Sequence, residues 1–428
     1  MLELSAWYLG FAVICGIAAG AIAGLLPGVH VNNTSAILLG LSPVLAASGV
    51  QPLYVAAMIV ASTVAQSFLD IVPSIFLGAP DDATALAVMP GHRMLLEGRG
   101  IEAARLAALG SALAIPVSLL LLLPMSWFFS QAYPAMQGHM ALVLIAISAF
   151  IVLTNSAGSP FSGSTGRMRK IAWGLAVYAA AGLLGVAAFS AEPALSPVVS
   201  VSEPTVLLPL LSGLFGAPVL LMGFLASPDL PRQARHDFTM DRSTIAGAAL
   251  SGTIAGALVS WFPAVSSGVA TSLTGIFTRR GEDPDRRYLI TVSGVNTANA
   301  VFSLVALYVI GRPRSGAVAA AQEIMGGAIA LCDFALFLAV ICVAGAASYP
   351  LTLAIGSSAA GLFSRLDYRL LNRCVLAFLA ALCLLLTGGP GLAIFITATA
   401  IGLAAHLAEV RKTCLMGVLL VPCILYFL

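Results

Sequence analysis

Apolar residues run through this sequence in blocks long enough to cross a bilayer, with polar residues confined to short intervals between them. The first half predicts helices over about 7–26 with 34–48, 51–77, 105–127, 139–154, 170–190 and 204–226. The second half adds 243–260 with 268–278, 286–311, 316–347, 349–363, 370–387, 391–408 and 413–428. Some of these are merged or re-entrant, which sets the expectation at about 10 to 14 passes.

Two blocks are broken in the same way. Gly20, Gly24 and Leu26-Pro27-Gly28 lead into His30-Val31-Asn32-Asn33-Thr34 before the apolar run resumes. Gly252 and Gly256 lead through Trp261-Phe262-Pro263 into Ser266-Ser267-Gly268. Proline removes an amide donor and crowds the preceding turn, while glycine frees the backbone, so neither run continues as a regular helix. Thr34 is placed to cap the half-helix after the first break. Downstream, at nearly equal spacing, Gly78-Ala79-Pro80-Asp81-Asp82 answers to Gly311-Arg312-Pro313-Arg314-Ser315, with a half-helix expected from about Ser315. Interrupted segments at corresponding places in two halves point to a transporter's binding site. The fold expected is an all-α polytopic membrane protein of two inverted repeats, whose Pro/Gly-broken hairpins meet near the midplane. Its parts are a first repeat over 1–226, a cytoplasmic linker over 227–242 and a second repeat over 243–428.

Composition agrees: 428 residues, 60% hydrophobic and only 9% charged, exclude an ordinary soluble domain. The net charge of +2 says nothing of nucleic acid, and none is expected as a partner. Lys and Arg collect in short loops: Arg93–Arg105, Arg167–Lys170, Arg232–Arg242, Arg279–Arg287, Arg365–Arg373 and Arg411-Lys412. The positive-inside rule makes these cytoplasmic, and the loops 130–139 and 190–205, free of Lys and Arg, external. The first hairpin, with no basic residue around 48–51, then enters from outside and the Pro263 hairpin from inside. The N-terminus has no basic region or cleavage site and reads as a retained membrane segment of the cytoplasmic membrane. The seven cysteines, without CxxC spacing, read as packing residues, and neither a metal centre nor an organic cofactor is expected; a bound sodium ion is the one group the pattern admits.

Met89-Pro90-Gly91, Arg93, Glu97-Gly98-Arg99-Gly100 and Glu102-Ala103, following Gly78-Ala79-Pro80 and Ala83-Thr84-Ala85-Leu86, resemble the large permease subunit of the tripartite tricarboxylate transporters. Leu26-Pro27-Gly28, Pro209–Pro218 and Asn296-Thr297-Ala298-Asn299-Ala300 are similar to further segments of that family. The resemblance implies uptake of a small organic anion at a site between the repeats. It also implies coupling to a cation gradient, with a periplasmic binding protein and a small membrane subunit as partners. The family's Pro-Gly-Thr-Pro loop reads Gly-Ala-Pro-Asp-Asp here, which marks a divergent and possible stand-alone branch.

Arg312 and Arg314 offer guanidinium forks suited to carboxylate or phosphate, or simply set topology. Asp81-Asp82 satisfy a helix dipole, hold a cation or pair with arginine. Asp70, inside an apolar run where a carboxylate is costly, is a proton carrier, a sodium ligand or a structural partner. Gln66 and Asn299 stand equally far before Gly78 and Gly311, and coordinate an ion or glue helices. His30 reads as a structural histidine. The anion is thus expected at Pro27, Gly28, Asn32, Asn33, Gly78, Pro80, Pro263, Ser266, Ser267, Gly311, Arg312 and Arg314. The coupling ion is expected at Gln66, Asp70, Asn296 and Asn299. No hydrolase, zincin or phosphate-loop motif appears, so no enzyme is expected. The function read is secondary transport of a di- or tricarboxylate-like anion driven by sodium or protons. The alternative is a translocase of polyprenyl phosphate, a membrane lipid.

Overall fold

The computed structural model describes residues 5–26, 31–76, 88–154, 164–199, 206–225, 240–262, 283–363 and 368–428, with Pro204, Gln233, Ser267 and Ala270 besides. Among them every regular element is helical. In hydrocarbon, only a helix or a closed barrel satisfies each backbone amide and carbonyl, and these blocks lack a barrel's alternation. In order the helices are α1 (Ala6–Leu25), α2 (Val31–Ala47), α3 (Pro52–Leu69), α4 (Ile71–Phe76), α5 (Val88–Leu96) and α6 (Gly100–Gln137). There follow α7 (Met140–Thr154), α8 (Ser164–Ser190), α9 (Leu207–Leu211), α10 (Ala217–Leu225), α11 (Arg242–Val259) and α12 (Pro284–Ile310). The last are α13 (Gly316–Ile324), α14 (Leu331–Phe363), α15 (Tyr368–Leu407) and α16 (Gly417–Phe427). Among the described residues, 7 helices are long and apolar enough to span a membrane, and four shorter apolar ones accompany them. The chain is a multi-pass integral membrane protein.

Small residues set the packing. A methyl group added to Gly20 of α1 would lie 2.7 Å from Ser62 Cα on α3, and one on Gly24 would lie 3.2 Å from the Gln66 carbonyl and 3.1 Å from the Asp70 amide. In the second half, Gly252 of α11 faces the Thr291 carbonyl on α12, and Gly256 faces Val295 and the Asn299 amide. Within each pair the contacts advance together along both helices, so α1 runs parallel to α3 and α11 parallel to α12. Backbone-to-backbone approach of this kind replaces the hydrophobic driving force that lipid does not supply. The two pairs cross where Ser67 Oγ lies 3.1 Å from Thr297 Oγ1 and Asp70 meets Asn296, with α3 and α12 running in opposite directions. On one side of this crossing, α1, α3, α6, α12, α13 and α14 share one apolar core. A second core joins α7, α8, α16 and the latter part of α15.

Several expected boundaries move. The segments 316–347 and 349–363 divide at Gly326-Gly327, both at positive φ, and Pro350 lies inside α14. Thr34 sits within the first turn of α2, which starts at Val31, so it is not the cap. Ser315 does cap α13, accepting from the Val318 amide at 3.3 Å. The helical run of α15 is two helices meeting at Gly388 (φ 72°), near the expected division between 387 and 391.

Candidate functional site

α3 stops at Leu69 because of a residue four positions on. Pro73 has no amide hydrogen for the Leu69 carbonyl, and its ring crowds that carbonyl, so the helix turns at Asp70 before α4 resumes. The neighbouring carbonyls are met from other helices. Thr352 Oγ1 of α14 donates to Phe68 O at 3.4 Å, and Ser111 Oγ of α6 lies 3.5 Å from Ser67 O and 3.3 Å from Ser293 O of α12. Ser74 Oγ donates to Asp70 O at 2.9 Å.

The Asp70 side chain, 5% exposed, sits at this break. Asn296 Nδ2 donates to Asp70 Oδ2 at 2.7 Å, and Ser267 Oγ approaches Asn296 Oδ1 at 3.4 Å. One chain of polar contacts therefore links the acid on α3, the amide in the middle of α12 and the residue that follows the second Pro break. Burying a carboxylate is expensive unless hydrogen bonds or a counter-charge compensate, and the Asn296 amide supplies one such bond here. Two residues before Pro263, Trp261 is fully buried and stacked on Phe129 of α6 with ring centroids 4.2 Å apart.

A further junction forms where α2 and α13 begin. The Asn32 side chain lies against Gly316, where any added Cβ would come within 2.7 Å of its amide carbon. Two helix N-termini, one from each half, thus come together, and the positive ends of their dipoles favour anions.

The sequence matches the model of the tripartite tricarboxylate transporter TctA family over residues 11–417. The chain belongs to this family. TctA is a transporter family and not an enzyme family, and it places the protein in the cell membrane. The chain is also similar to the uncharacterized protein MJ1079 of Methanocaldococcus jannaschii, 26% identical over 427 residues that cover 97% of this chain and 98% of that one. No solved structure matches it.

In this TctA-family chain the expected residues fall into three groups. Asp70, Asn296 and Ser267 are joined, with Gln66 one turn before Asp70 and its carbonyl accepting the Asp70 amide at 2.9 Å. Asn32 is joined to the start of α13. Arg312 is exposed beyond the end of α12, and fifteen residues of sequence separate Gly311 from Asn296, roughly 22 Å of helical rise. Arg314 is half-buried, donates to Tyr133 OH and lies with its guanidinium carbon 5.0 Å from the ring centre. Gly311 closes α12 in the left-handed region, φ 65°. Pro27, Gly28, Gly78, Pro80, Pro263, Ser266, His30, Asp81, Asp82 and the Asn33 side chain lie outside the described residues.

Counting back from Gly78 and Gly311 pairs Gln66 with Asn299, but the glycine contacts pair Asp70 with Asn299 and Gln66 with Val295. The count fails because it crosses the Asp70 break in one half and an unbroken helix in the other. Sequence reasoning also missed Ser67, Ser111, Thr297 and Thr352, all buried at the crossing. Hydroxyls are scattered through every apolar helix here, so only their convergence distinguishes these four.

Proposed function

We propose that this chain is the membrane-embedded permease for a small organic anion of the di- or tricarboxylate class, driven inward by a sodium or proton gradient. The observation that carries the reading is the buried chain Ser267–Asn296–Asp70, which ties both halves of the molecule to one ionisable group. In this reading Asp70 binds the coupling cation, helped by Asn296, Asn299, Gln66 and the Leu69 carbonyl that Pro73 leaves free. The anion is held by amides and side chains at the breaks: Pro27 to Asn33, Gly78 and Pro80, Pro263 to Ser267, and the start of α13. Arg314 and Arg312 guide it from the far end of α12. The molecule consists of two inverted repeats, 1–226 and 243–428. This is supported by the parallel glycine-packed pairs in each half and the opposed directions of α3 and α12. Charge balance explains the coupling: a carboxylate substrate and Asp70 repel each other in low dielectric until a cation neutralises the acid.

The test is uptake of labelled citrate and related acids into proteoliposomes under sodium or proton gradients. The chain is assayed alone and with its binding protein and small subunit. Gradient-driven uptake that Asp70→Asn abolishes while citrate binding persists supports the reading. Failure of the complete system to accumulate any di- or tricarboxylate, with binding of polyprenyl phosphate instead, would favour the lipid-carrier alternative.

A further inference from the structure

On the basic-loop side of Asp70 the space is filled. α5 lies across α4 and α12: a Cβ added at Gly91 would sit 3.0 Å from Ile75 and 3.6 Å from Leu289. Met94 and Leu95 of α5 are buried in one apolar cluster with Ile75, Phe76 and Leu289. Leu289 precedes Asn296 on α12 and Ile75 follows Asp70 on the chain, so the cluster stands between the acid and the cytoplasmic loops.

α5 is held there by polar contacts at its end. The helix closes with Arg99 N donating to Met94 O at 2.7 Å and Gly98 N to Leu95 O at 2.9 Å, a turn that needs Gly98 at φ 80°. The Glu102 carboxylate, 1% exposed, then receives Arg99 Nε at 3.0 Å and Nη2 at 2.9 Å, and Arg286 Nε of α12 at 2.7 Å. Arg93 of α5 pairs with Asp285 at 3.2 Å. Gln233, from the segment between the halves, accepts from Gly100 N at 2.8 Å and donates to Leu95 O at 2.9 Å. Opposite, between α2, α13 and the start of α3, a cavity of about 480 Å³ lined by Ser42, Pro43 and Glu323 opens toward the surface.

We infer that α5 is the cytoplasmic gate of the transport pathway and that Glu102 is the residue that positions it shut. The inference rests on the transport reading, since a gate presupposes a path through Asp70. The inner side is shut here, and the cavity at Ser42 stands at the other end of α3, where Val55 is fifteen residues, roughly 22 Å of helical rise, from Asp70. Met94 and Leu95 seal the inner route, Glu102 holds Arg99 at the end of α5 against Arg286 on α12, and Gln233 reports to the same turn from the interhalf segment. Opening requires α5 to leave Ile75 and Leu289 with Gly98 and Gly100 as pivots. A charge-assisted network is suited to this: worth enough to fix one state, yet exchangeable for water at the membrane surface.

The experiment measures labelling by a membrane-impermeant maleimide in vesicles of either orientation, read peptide by peptide so that the native cysteines need not be removed. Leu289→Cys reports the inner side and Ser42→Cys the outer cavity. Glu102→Gln, and separately Gln233→Ala at the less buried contact, should speed inner labelling about tenfold and slow outer labelling by a similar factor, the signature of a shifted two-state population. Unchanged inner labelling in both variants overturns the gate. Faster labelling on both sides at once also overturns it, because that is loosening of the fold and not a switch. Neither readout needs transport, so the gate can fail while citrate uptake stands, and uptake can fail while the gate stands.

Discussion

Gly20 brings α1 against the α3 backbone and Gly252 brings α11 against the α12 backbone, and alanine at either tests the register on which the repeat reading depends. A methyl on Gly20 would sit 2.7 Å from Ser62 Cα, where carbon atoms prefer about 3.5–4.0 Å. The helices must part by about 1 Å, and overpacking of this size costs roughly 1–3 kcal/mol. At Gly252 the added carbon would lie 3.2 Å from the Thr291 carbonyl carbon and closer still to its oxygen, so the cost falls in the same range. Gly10 on α1 and Gly247 on α11 serve as controls, since an added methyl there meets nothing within 4 Å. Alanine at these two positions should be neutral or stabilise by about 0.5–1 kcal/mol through helix propensity. The assay is thermal unfolding of the purified protein in one detergent, four single variants against the parent. Gly20→Ala and Gly252→Ala should lower the midpoint by a few degrees while the controls hold or rise. Equal behaviour of Gly10→Ala and Gly20→Ala would refute the packing, and loss at only one of the two close contacts would refute the equivalence of the halves.

Asp70→Asn preserves a partner for the Asn296 amide and should leave the unfolding midpoint close to the parent while abolishing gradient-driven uptake. Asp70→Ala strands that amide and should cost about 1–3 kcal/mol in addition, read by the same melts. Pro73→Ala supplies the missing donor for the Leu69 carbonyl, so the protein should melt higher and transport more slowly, and faster transport would argue against a role for the break. Ser67→Ala and Thr297→Val remove one shared hydrogen bond, and their double-mutant coupling should be about 0.6 kcal/mol, with strict additivity denying the contact. The Asp241 carboxylate at the start of α11 is held below its usual range by the Ser243 hydroxyl first and then by backbone amides, against the opposing effect of desolvation. Its cap is therefore present above the ordinary carboxylate value and lost as pH falls through the lowered one. Amide exchange at Thr244 and Ile245 should rise there in the parent and show no such acid step in Asp241→Asn.

Much of this protein was legible in its sequence because a bilayer leaves few options. Runs such as 51–77 and 286–311 had to be helices once they were apolar and long, and α3 with α4 and α12 occupy nearly those residues. Arg93–Arg105 and Arg279–Arg287 were assigned to one side by charge alone, and Arg93 with Asp285 and Arg286 with Glu102 join there. Asp70 stood out because a lone carboxylate in such a run has few reasons to exist. What the sequence could not supply was which residues face one another across helices. Helix faces are set by rotation and register, and in lipid no polar stripe marks the buried side, so Ser67, Ser111, Thr297 and Thr352 look like any other hydroxyls until α3, α6, α12 and α14 are packed. The approach of Gly24 to Asp70 and of Gly256 to Asn299, the contact of Asn32 with Gly316 and the packing of α5 on Ile75 and Leu289 were likewise decided only in three dimensions. Each depends on where a glycine lets a neighbouring helix come close, a fact of volume that the residue order does not contain.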